Sequence, residues 1–406
     1  MAPRSIRSSR KGWPRARLLS DAGGRSILAC GADPASLPYM EPKLSCRNVL
    51  LEGVKLYAAN ILKQSMLSIG GDVAVHRGVI SGKVAASDCL VTGDLRHYRL
   101  LVEKLRLQPG MECIADSIEQ QVFPDSTGLT LKLLGKSCHW DDTPVIMGIL
   151  NVTPDSFSDG GMWLDPAKAV DHACDMVQAG AGIIDIGGES SRPGARETDA
   201  REEISRVVPV IREIASRLNV PISIDTRKSR VAEAAIDAGA CIVNDISALS
   251  HDRSMIDIIR QTGAGVILMH MKGTPETMQR DTAYSDIVGD IYAYLDEKIE
   301  QCLEAGIDPR SILADPGIGF GKDLEGNLQL IRHIGEFASL GVPVVLGHSR
   351  KAFVGTVLNT PVNERQEGTD AVSAWGTIRG VHVLRVHDVR RTLHVRNMIL
   401  AIQRSA

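Results

Sequence analysis

Short apolar runs alternate with helix-like segments from about residue 144 to the end of the chain, and this alternation constrains the fold more than any other feature. Eight such runs are present: Val145–Leu150, Ile183–Ile186, Ile222–Ile224, Ile242–Val243, Val266–Met269, Ile312–Ala314, Val342–Leu346 and Val383–Val386. The helix-like segments between them include Ala167–Ala179, Glu203–Leu218, Arg230–Ala238 and Ile287–Ala305. Eight strands over about 260 residues match the size of a (β/α)8 barrel. The sequence therefore predicts an α/β fold, a TIM barrel.

A doubly wound parallel sheet is the alternative α/β architecture for this pattern. Such a sheet usually has fewer strands, and a glycine-rich GxGxxG turn follows its first strand. Residues Gly148–Pro154, at the end of the first predicted strand, do not have that motif. We therefore favour the barrel.

The first 45 residues are rich in Arg, Ser, Gly and Pro, which predicts a disordered basic N-terminus. Six basic residues precede the first acidic residue, Asp21. This composition resembles an organellar transit peptide. No apolar face repeats there at helical spacing, so we favour a disordered tail, or extra residues from an early start codon.

Residues 46–140 are predicted to form a small α+β domain of unknown role, and residues 141–406 the barrel domain. Apolar residues at helical spacing indicate one helix from Leu56 to Ile69 and another from Leu95 to Leu105. Two short strands are predicted at Asp72–Val75 and Cys89–Thr92. Segment 126–143 is then a linker or a strand that covers the barrel.

Composition excludes several classes of protein. A net charge of -3 argues against a general nucleic-acid or membrane binder, and no apolar run reaches the roughly 18 residues that span a bilayer. The eight cysteines are scattered singly, without a CxxC pair or zinc-ligand spacing. We therefore expect reduced thiols in a cytoplasmic protein.

Polar residues follow each predicted barrel strand, at the end where barrel enzymes carry their chemistry. They are Asn151, Asp185 with Glu189, Asp225, Asn244 with Asp245, His270, Asp315, Ser349 to Lys351, and Arg385 with His387. Unpaired polar groups buried in such a ring would each cost about 1–3 kcal/mol. The ring therefore predicts a polar ligand, or many internal bonds and waters.

The types of residue in this ring indicate two kinds of ligand group. Asp225, Asn244 and Asp315 supply mainly acceptors, which suit a planar heterocycle rich in N–H donors. Lys351 can donate to a ring carbonyl or nitrogen. The remaining set suits an anion such as phosphate and comprises Arg385, His387 and Asn151.

Three loops at this end are rich in glycine. Asn151–Gly161 and Gly187–Gly194 have the length and hinge-like glycines of loops that close over a substrate, although ordinary surface loops have similar composition. The third loop, Asp315–Lys322, resembles a phosphate cradle at first sight. It lacks the GxxxxGK[ST] spacing of a P-loop, so we reject that interpretation.

An ordered series of motifs resembles the dihydropteroate synthase family. The series is ILNVTPDSFSDGG, DIGGESSRPGA, SIDT, IVNDIS, LMHMKGTPETMQ, DPGIGFGK, HSRKAFVG and RVHDV. It runs from about Pro144 to the C-terminus, and the family fold is a (β/α)8 barrel. The resemblance implies an enzyme of folate biosynthesis, a transferase that joins 6-hydroxymethyl-7,8-dihydropterin pyrophosphate to p-aminobenzoate, releasing 7,8-dihydropteroate and pyrophosphate.

The resemblance also implies roles for individual residues. Those matching the pterin site are Asp225, Asn244, Asp315 and Lys351. Those matching the pyrophosphate site are Asn151, Arg385 and His387, with Asn151 also near a Mg2+ ion. Those matching the p-aminobenzoate side, where sulfonamides compete, are Phe157, Ser191, Arg192, Pro193, Phe320, Ser349 and Lys351. Asp185 and Met269 complete the substrate-binding set, and the catalytic set is Asp155, Asp225, Lys351 and Arg385.

The family resemblance further implies Mg2+ as cofactor, two small-molecule substrates and a homodimer. Two features depart from the common pattern. Ser191 stands where threonine is usual, so one methyl contact is lost. The N-terminal domain is additional, and we assign it no activity.

Two other functions are alternatives. A pterin-binding methyltransferase domain shares the barrel, but Arg192, Ser349 and Lys351 argue against it. A non-catalytic pterin-binding protein would be favoured by loss of loop or anion-site residues, and the sequence retains them.

Overall fold

The computed structural model describes residues 24–123, 129–141, 143–153, 166–190 and 197–405, with the side chains of residues 24 and 25 left out. The chain divides into two compact units, Met1–Ser126 and Thr127–Ala406. We call them the N-terminal unit and the barrel unit and describe each by itself.

The N-terminal unit consists of helices packed on a small antiparallel sheet. Its strands are β1 (Cys46–Lys55), β2 (Asp72–Val75) and β3 (Ala86–Asp94), in the order β1-β3-β2. Its helices are α1 (Gly24–Ala29), α2 (Leu37–Met40), α3 (Leu56–Leu67), α4 (Leu95–Arg106) and α5 (Glu112–Val122).

Tyr98 on α4 connects the helical layer of this unit to its sheet. The side chain is fully buried, and its hydroxyl donates to the carbonyl of Val91 at 2.8 Å and to that of Arg47 at 3.0 Å. Helix α4 begins at a capping box, in which Asp94 accepts the backbone N–H of His97. One phenol thus joins both paired strands to the helix that covers them.

The structure differs from the sequence prediction at several points in this unit. Both predicted helices and both predicted strands are present, but β1 and α5 were not predicted. Most residues of β1 are exposed or half-buried, and its register shifts between Leu51 and Val54, so it lacks a clean two-residue alternation. The prediction of disorder up to residue 45 is wrong for 24–45, which include the short helices α1 and α2, while residues 1–23 lie outside the described residues.

The barrel unit confirms the predicted TIM barrel. Its parallel strands are β6 (Val145–Asn151), β7 (Ile183–Gly187), β8 (Ile222–Asp225), β9 (Ile242–Asp245), β10 (Gly265–Met269), β11 (Ile312–Asp315), β12 (Val345–Gly347) and β13 (Val383–Val386). They form an eight-stranded sheet in the order β11-β10-β9-β8-β7-β6-β13-β12. A parallel bridge between Ala314 and Val344 closes the ring.

Helices pack around these strands and bury their outer faces in one continuous apolar layer. They are α6 (Pro166–Gln178), α7 (Ala200–Arg217), α8 (Ser229–Ala238), α9 (Met255–Thr262), α10 (Ile287–Glu304), α11 (Leu324–Arg332), α12 (Ala352–Leu358), α13 (Gln366–Ile378) and α14 (Val389–Arg404). Aspartate side chains cap the first turns of α7, α10, α11 and α14. Among the described residues, no helix combines the length and apolar character needed to cross a membrane.

A hairpin of β4 (Thr130–Leu133) and β5 (Lys136–His139) covers the amino end of the barrel. Its turn places Leu134 and Gly135 at positive φ, as a two-residue hairpin requires. Leu129, Leu131 and Leu133 pack against apolar residues from seven of the barrel strands. The predicted domain boundary at residue 141 is therefore too late, because the hairpin belongs to the barrel unit, which begins at Thr127.

This packing predicts that Leu131→Ala destabilises the barrel unit by about 2–5 kcal/mol, the usual cost of emptying a fully buried leucine site. Chemical denaturation followed by circular dichroism measures the change. Leu328→Ala on α11, where the side chain is 38% exposed, is the control and should cost less than about 1 kcal/mol. Equal effects of the two substitutions would show that the hairpin does not contribute to barrel stability.

Candidate active site

The carboxyl ends of the barrel strands bring together polar residues that are far apart in the sequence. Asp225 ends β8 and is in register with Asn244 on β9. Asp315 ends β11 beside Met269, and Arg385 on β13 pairs with Gly347. Because all the barrel strands are parallel, these side chains share one end of the barrel, as the sequence predicted.

Arg385 is the centre of this arrangement. Its Nε donates to Asp185 Oδ2 at 2.6 Å, and its Nη2 donates to Asp225 Oδ2 at 2.7 Å. Asn244 Nδ2 donates to the same oxygen of Asp185 at 3.2 Å. Side chains from β7, β8, β9 and β13 are therefore joined in one bonded group, which we call the Arg385 network.

Burial controls the electrostatics of the Arg385 network. It raises the pKa of Asp225 to about 7, although the charge of Arg385 acts in the opposite direction. Burial alone would lower the pKa of Arg385, but Asp185 and Asp225 outweigh it and the pKa is raised. Asp185 is fully buried, and its Oδ1 has no hydrogen-bond partner among the described residues. The network therefore retains unused acceptor capacity.

Lys351 lies at the start of α12 and faces the loop that follows β11. Its Nζ donates to the carbonyl of Ile318 and lies 4.3 Å from the centre of the Phe320 ring. Burial lowers the pKa of Lys351 to about 7, and the charge of Asp315 partly opposes this. Burial likewise raises the pKa of Asp315, against the charge of Lys351. This amine therefore changes charge near neutral pH.

His387 and Ser349 form a second polar pair at the same end of the barrel. The Nδ1 atom of His387 lies 2.9 Å from Ser349 Oγ, which also accepts the backbone N–H of His387 at 3.3 Å. Ser349 is buried and His387 is half-buried. The pair connects the end of β12 to the end of β13.

The loop after β11 approaches β10 closely at Gly317. A Cβ at this position would lie 2.0 Å from the carbonyl oxygen of His270 and 3.3 Å from Met269 Cγ. The φ angle of Gly317 is +70°, which also favours glycine. Its N–H donates to Asp315 Oδ1 at 2.7 Å, so the glycine serves packing and turn geometry.

The sequence analysis named Glu189 but missed the buried charge cluster to which it belongs. Lys228 Nζ donates to Glu189 at 2.9 Å and to Glu203 at 2.8 Å, and Glu189 accepts the backbone N–H of Thr198 at 2.8 Å. Burial pushes the pKa of Glu189 upward, but the bonds from Lys228 and Thr198 outweigh it and the pKa is lowered. Glu203 lies within a helix and Lys228 at a helix N-cap, where charged residues are usually solvated, so composition gave no signal.

A small pocket opens beside Asp225, and its lining includes part of this charge cluster. The lining residues are Glu189, Ser190, Asp225, Thr226, Arg227, Ile246 and Pro275. Other predicted site residues, namely Asp155, Phe157, Ser191, Arg192 and Pro193, lie outside the described residues.

Asn151 ends β6 and is the predicted metal ligand. Its Oδ1 is 3.3 Å from the position of a Cβ built on Gly187 in the adjacent strand. In the described part of the chain, no group of three His, Cys, Asp or Glu residues could hold a metal. Mg2+ is commonly bound by one or two protein oxygens together with substrate phosphates and waters. A single amide oxygen fits a metal that arrives with an anionic substrate.

The closed barrel and its charged carboxyl end define a barrel enzyme that binds a polar ligand. Residues 147–387 match the family model described as "Pterin binding enzyme". The chain belongs to this family.

Among its relatives, the chain is 45% identical over 258 residues to the dihydropteroate synthase of Escherichia coli strain K12, covering 64% of this chain and 91% of that protein. It is 37% identical over 413 residues to a probable bifunctional folylpolyglutamate synthase/dihydropteroate synthase of Haloferax volcanii, covering 98% of this chain and 49% of that protein. The latter alignment therefore extends over the N-terminal unit.

A solved structure of Yersinia pestis dihydropteroate synthase, described as a sulfonamide drug complex, is also similar. It matches with a TM-score of 0.65 and 42% sequence identity. The match covers 68% of this chain and all of that chain.

The Arg385 network predicts that Arg385→Met destabilises the protein by about 3–5 kcal/mol, because Asp185 and Asp225 lose their counter-ion. The loss should be smaller at pH 5.5 than at pH 8, because burial raises the pKa of Asp225 to about 7 and this carboxylate takes up a proton as the pH falls. Chemical denaturation at both pH values tests this. The control is Arg217→Met, which breaks an exposed pair with Glu213 and should cost less than about 1 kcal/mol. A loss that is equal at both pH values would contradict the electrostatic explanation.

Proposed function

We propose that the carboxyl end of the barrel binds a pterin pyrophosphate and p-aminobenzoate and joins them. The chain is a dihydropteroate synthase, a transferase of folate biosynthesis that releases 7,8-dihydropteroate and pyrophosphate. The observation that carries this proposal is the Arg385 network at the carboxyl end of a barrel whose residues 147–387 match the pterin binding family.

The pterin ring binds to the acceptors at the centre of the barrel. Asp225 and Asp315 accept from the amino and ring N–H groups, Asn244 can both accept and donate, and Lys351 donates to the ring carbonyl or a ring nitrogen. The Oδ1 atom of Asp185, which has no hydrogen-bond partner among the described residues, serves as a further acceptor for the ring. Met269 is buried next to Asp315 and supplies an apolar contact to the ring.

The pyrophosphate binds toward Arg385, His387 and Asn151. Arg385 has five N–H donors, and two of them are used by the carboxylates of Asp185 and Asp225. The remaining donors and the positive charge are available to an anion. Arg385 differs from an arginine that binds only phosphate, because it is already bonded to two carboxylates. These bonds keep the guanidinium in place before the substrate arrives.

The aminobenzoate side includes Phe320, Ser349 and Lys351, with Ser191, Arg192 and Pro193 from the second loop. Phe320 stacks on the amine of Lys351, which supports an aromatic binding surface beside a cation. The similarity to a sulfonamide-bound synthase supports the same site as the target of sulfonamides, which compete with p-aminobenzoate.

Mg2+ is the proposed cofactor, with Asn151 as its protein ligand. When bound, it would neutralise negative charge on the pyrophosphate. A donor set of one amide oxygen supports a metal held mainly by the substrate.

The reaction is a substitution at the methylene carbon that carries the pyrophosphate. The carbon–oxygen bond breaks and its electron pair leaves with the pyrophosphate, whose growing charge is stabilised by Arg385 and His387. Carboxylates, including Asp155 on the first loop, stabilise the cation that remains on the pterin. The neutral aromatic amine then forms the carbon–nitrogen bond and releases a proton, so no covalent enzyme intermediate is required. The chain's main tasks are orientation of the amine and exclusion of water.

A homodimer through the barrel helices and a cytoplasmic location are further proposals. Exposed apolar residues on α12, α13 and α14 support a dimer, including Val357, Ile378 and Met398. Light scattering that gives twice the chain mass would support it, and the single-chain mass would exclude it.

All eight cysteines are described and are free thiols, which is consistent with a reducing compartment.

The experiment that tests the function is pyrophosphate release from the pterin pyrophosphate with Mg2+, in the presence and absence of p-aminobenzoate. We expect release that depends on the amine and yields dihydropteroate. Tight pterin binding without this product would contradict the synthase and favour a binding protein or a methyltransferase domain.

The raised pKa of Asp225 predicts the pH dependence of the reaction. Only the ionised carboxylate has two oxygens that both accept N–H bonds, so kcat/KM for the pterin substrate should fall as the pH decreases below about 7. Asp225→Asn should remove this acid limb and weaken pterin binding by about 1–3 kcal/mol at pH 8. Calorimetry and pH–rate profiles measure these changes. An unchanged acid limb in Asp225→Asn would assign the titration to another group.

A further inference from the structure

The loop between β11 and α11, residues 316–323, is held by side chains through four consecutive carbonyl groups. The donors are Lys351 to Ile318, Gln279 to Gly319 at 3.3 Å, Lys322 to Phe320 at 2.8 Å and Tyr284 to Gly321 at 3.0 Å. Three of the donors come from outside the loop and Lys322 comes from the loop itself, so four carbonyls in a row are bonded to side chains.

Lys322 is the buried donor of this set. It is 2% exposed, and its Nζ contacts the carbonyl of Phe320, the carbonyl of His270 at 3.3 Å and His270 Nδ1 at 3.0 Å. In the described part of the chain, Lys322 forms no ion pair; its contacts are to two carbonyls and an imidazole, and the charge of Asp315 acts on it only from a greater distance. Burial lowers the pKa of Lys322, the nearby charge of Lys351 lowers it further, and the charge of Asp315 partly opposes both.

His270 completes this contact. Burial lowers its pKa to about 3, so the imidazole is neutral at pH 7. Its ring packs edge-on against Tyr294, with 4.9 Å between the ring centres. A neutral imidazole either accepts an N–H of a charged Lys322 or donates to a neutral one. The three contacts of Lys322 are therefore satisfied in both protonation states.

Burial of an amine that has no ion-pair contact destabilises the folded state, and an apolar side chain would fill the same space without that cost. The contact that distinguishes Lys322 from such a side chain is its bond to the Phe320 carbonyl. Phe320 in turn places its ring over the amine of Lys351. Lys322 thus connects the buried base of the loop to an aromatic ring at the site.

We propose that Lys322 is a positioning residue for p-aminobenzoate, because its bond to the Phe320 carbonyl keeps the Phe320 ring over Lys351. This inference rests on the proposed function, in which Phe320 and Lys351 contact that substrate. Lys322 itself does not touch the substrate, so its effect should appear in p-aminobenzoate binding and not in pterin binding.

Steady-state kinetics of Lys322→Met tests this. We expect the KM for p-aminobenzoate to rise about tenfold, with kcat and the KM for the pterin pyrophosphate within about twofold of wild type. Lys168→Met on the exposed face of α6 is the matched control and should change none of the three constants. An unchanged KM for p-aminobenzoate in Lys322→Met would overturn the inference.

A double-mutant cycle with Phe320→Leu tests whether Lys322 acts through Phe320. If it does, adding Lys322→Met to Phe320→Leu should change the KM by less than about twofold. Effects that multiply would show that Lys322 acts independently of Phe320, against the inference. If Lys322→Met does not fold, Lys322→Gln replaces it in both measurements.

These outcomes are separate from the proposed function. If the wild-type protein forms no dihydropteroate, the function fails. Calorimetry of p-aminobenzoate binding in the presence of a pterin and pyrophosphate then tests the inference, with the same expected loss of about tenfold in Lys322→Met. Equal affinity in wild type and variant would overturn it.

Discussion

The rest of the site depends on the two hydrogen-bonded ion pairs that Arg385 forms with Asp185 and Asp225. Two carboxylates at the end of a barrel repel each other, and burial raises the free energy of each charged form. A guanidinium between them provides two directed bonds and balances the charge. Acceptors for a heterocycle can therefore lie deep in the barrel, while one cation also remains available to an anionic leaving group.

The loop after β11 depends on a different constraint. Its glycines leave room for the backbone to approach His270, and its carbonyls are bonded by Lys322 of the loop itself and by side chains from outside it. Phe320 and Lys351 thereby meet beside the Arg385 network. The polar and the aromatic halves of the site are thus held by two separate bonded groups, one of ion pairs and one of hydrogen bonds from side chains to loop carbonyls.

Much of the barrel was predictable because each strand is a short apolar run. The polar residues that follow the runs all lie at the carboxyl end of the barrel. Asp225, Asn244, Asp315 and Arg385 were identified in this way. The pairing of Arg385 with Asp185 was not, since partners 200 residues apart carry no local signal. The same applies to Lys228 with Glu203 and to Lys322 with His270, because burial of a charged residue depends on the helices that pack over it. For segment 126–143 the sequence left a linker and a covering strand as alternatives, because a period of two does not show which surface a strand packs against.

The covering hairpin also has a consequence for biosynthesis of the chain. Leu129, Leu131 and Leu133 leave the ribosome before any barrel strand, yet their apolar partners extend to Val383 on the last strand. The hairpin therefore cannot complete its packing until almost the whole chain has been synthesised. During that interval its leucines lack part of their apolar partners, so the first segment of the barrel unit to be synthesised is among the last to complete its packing.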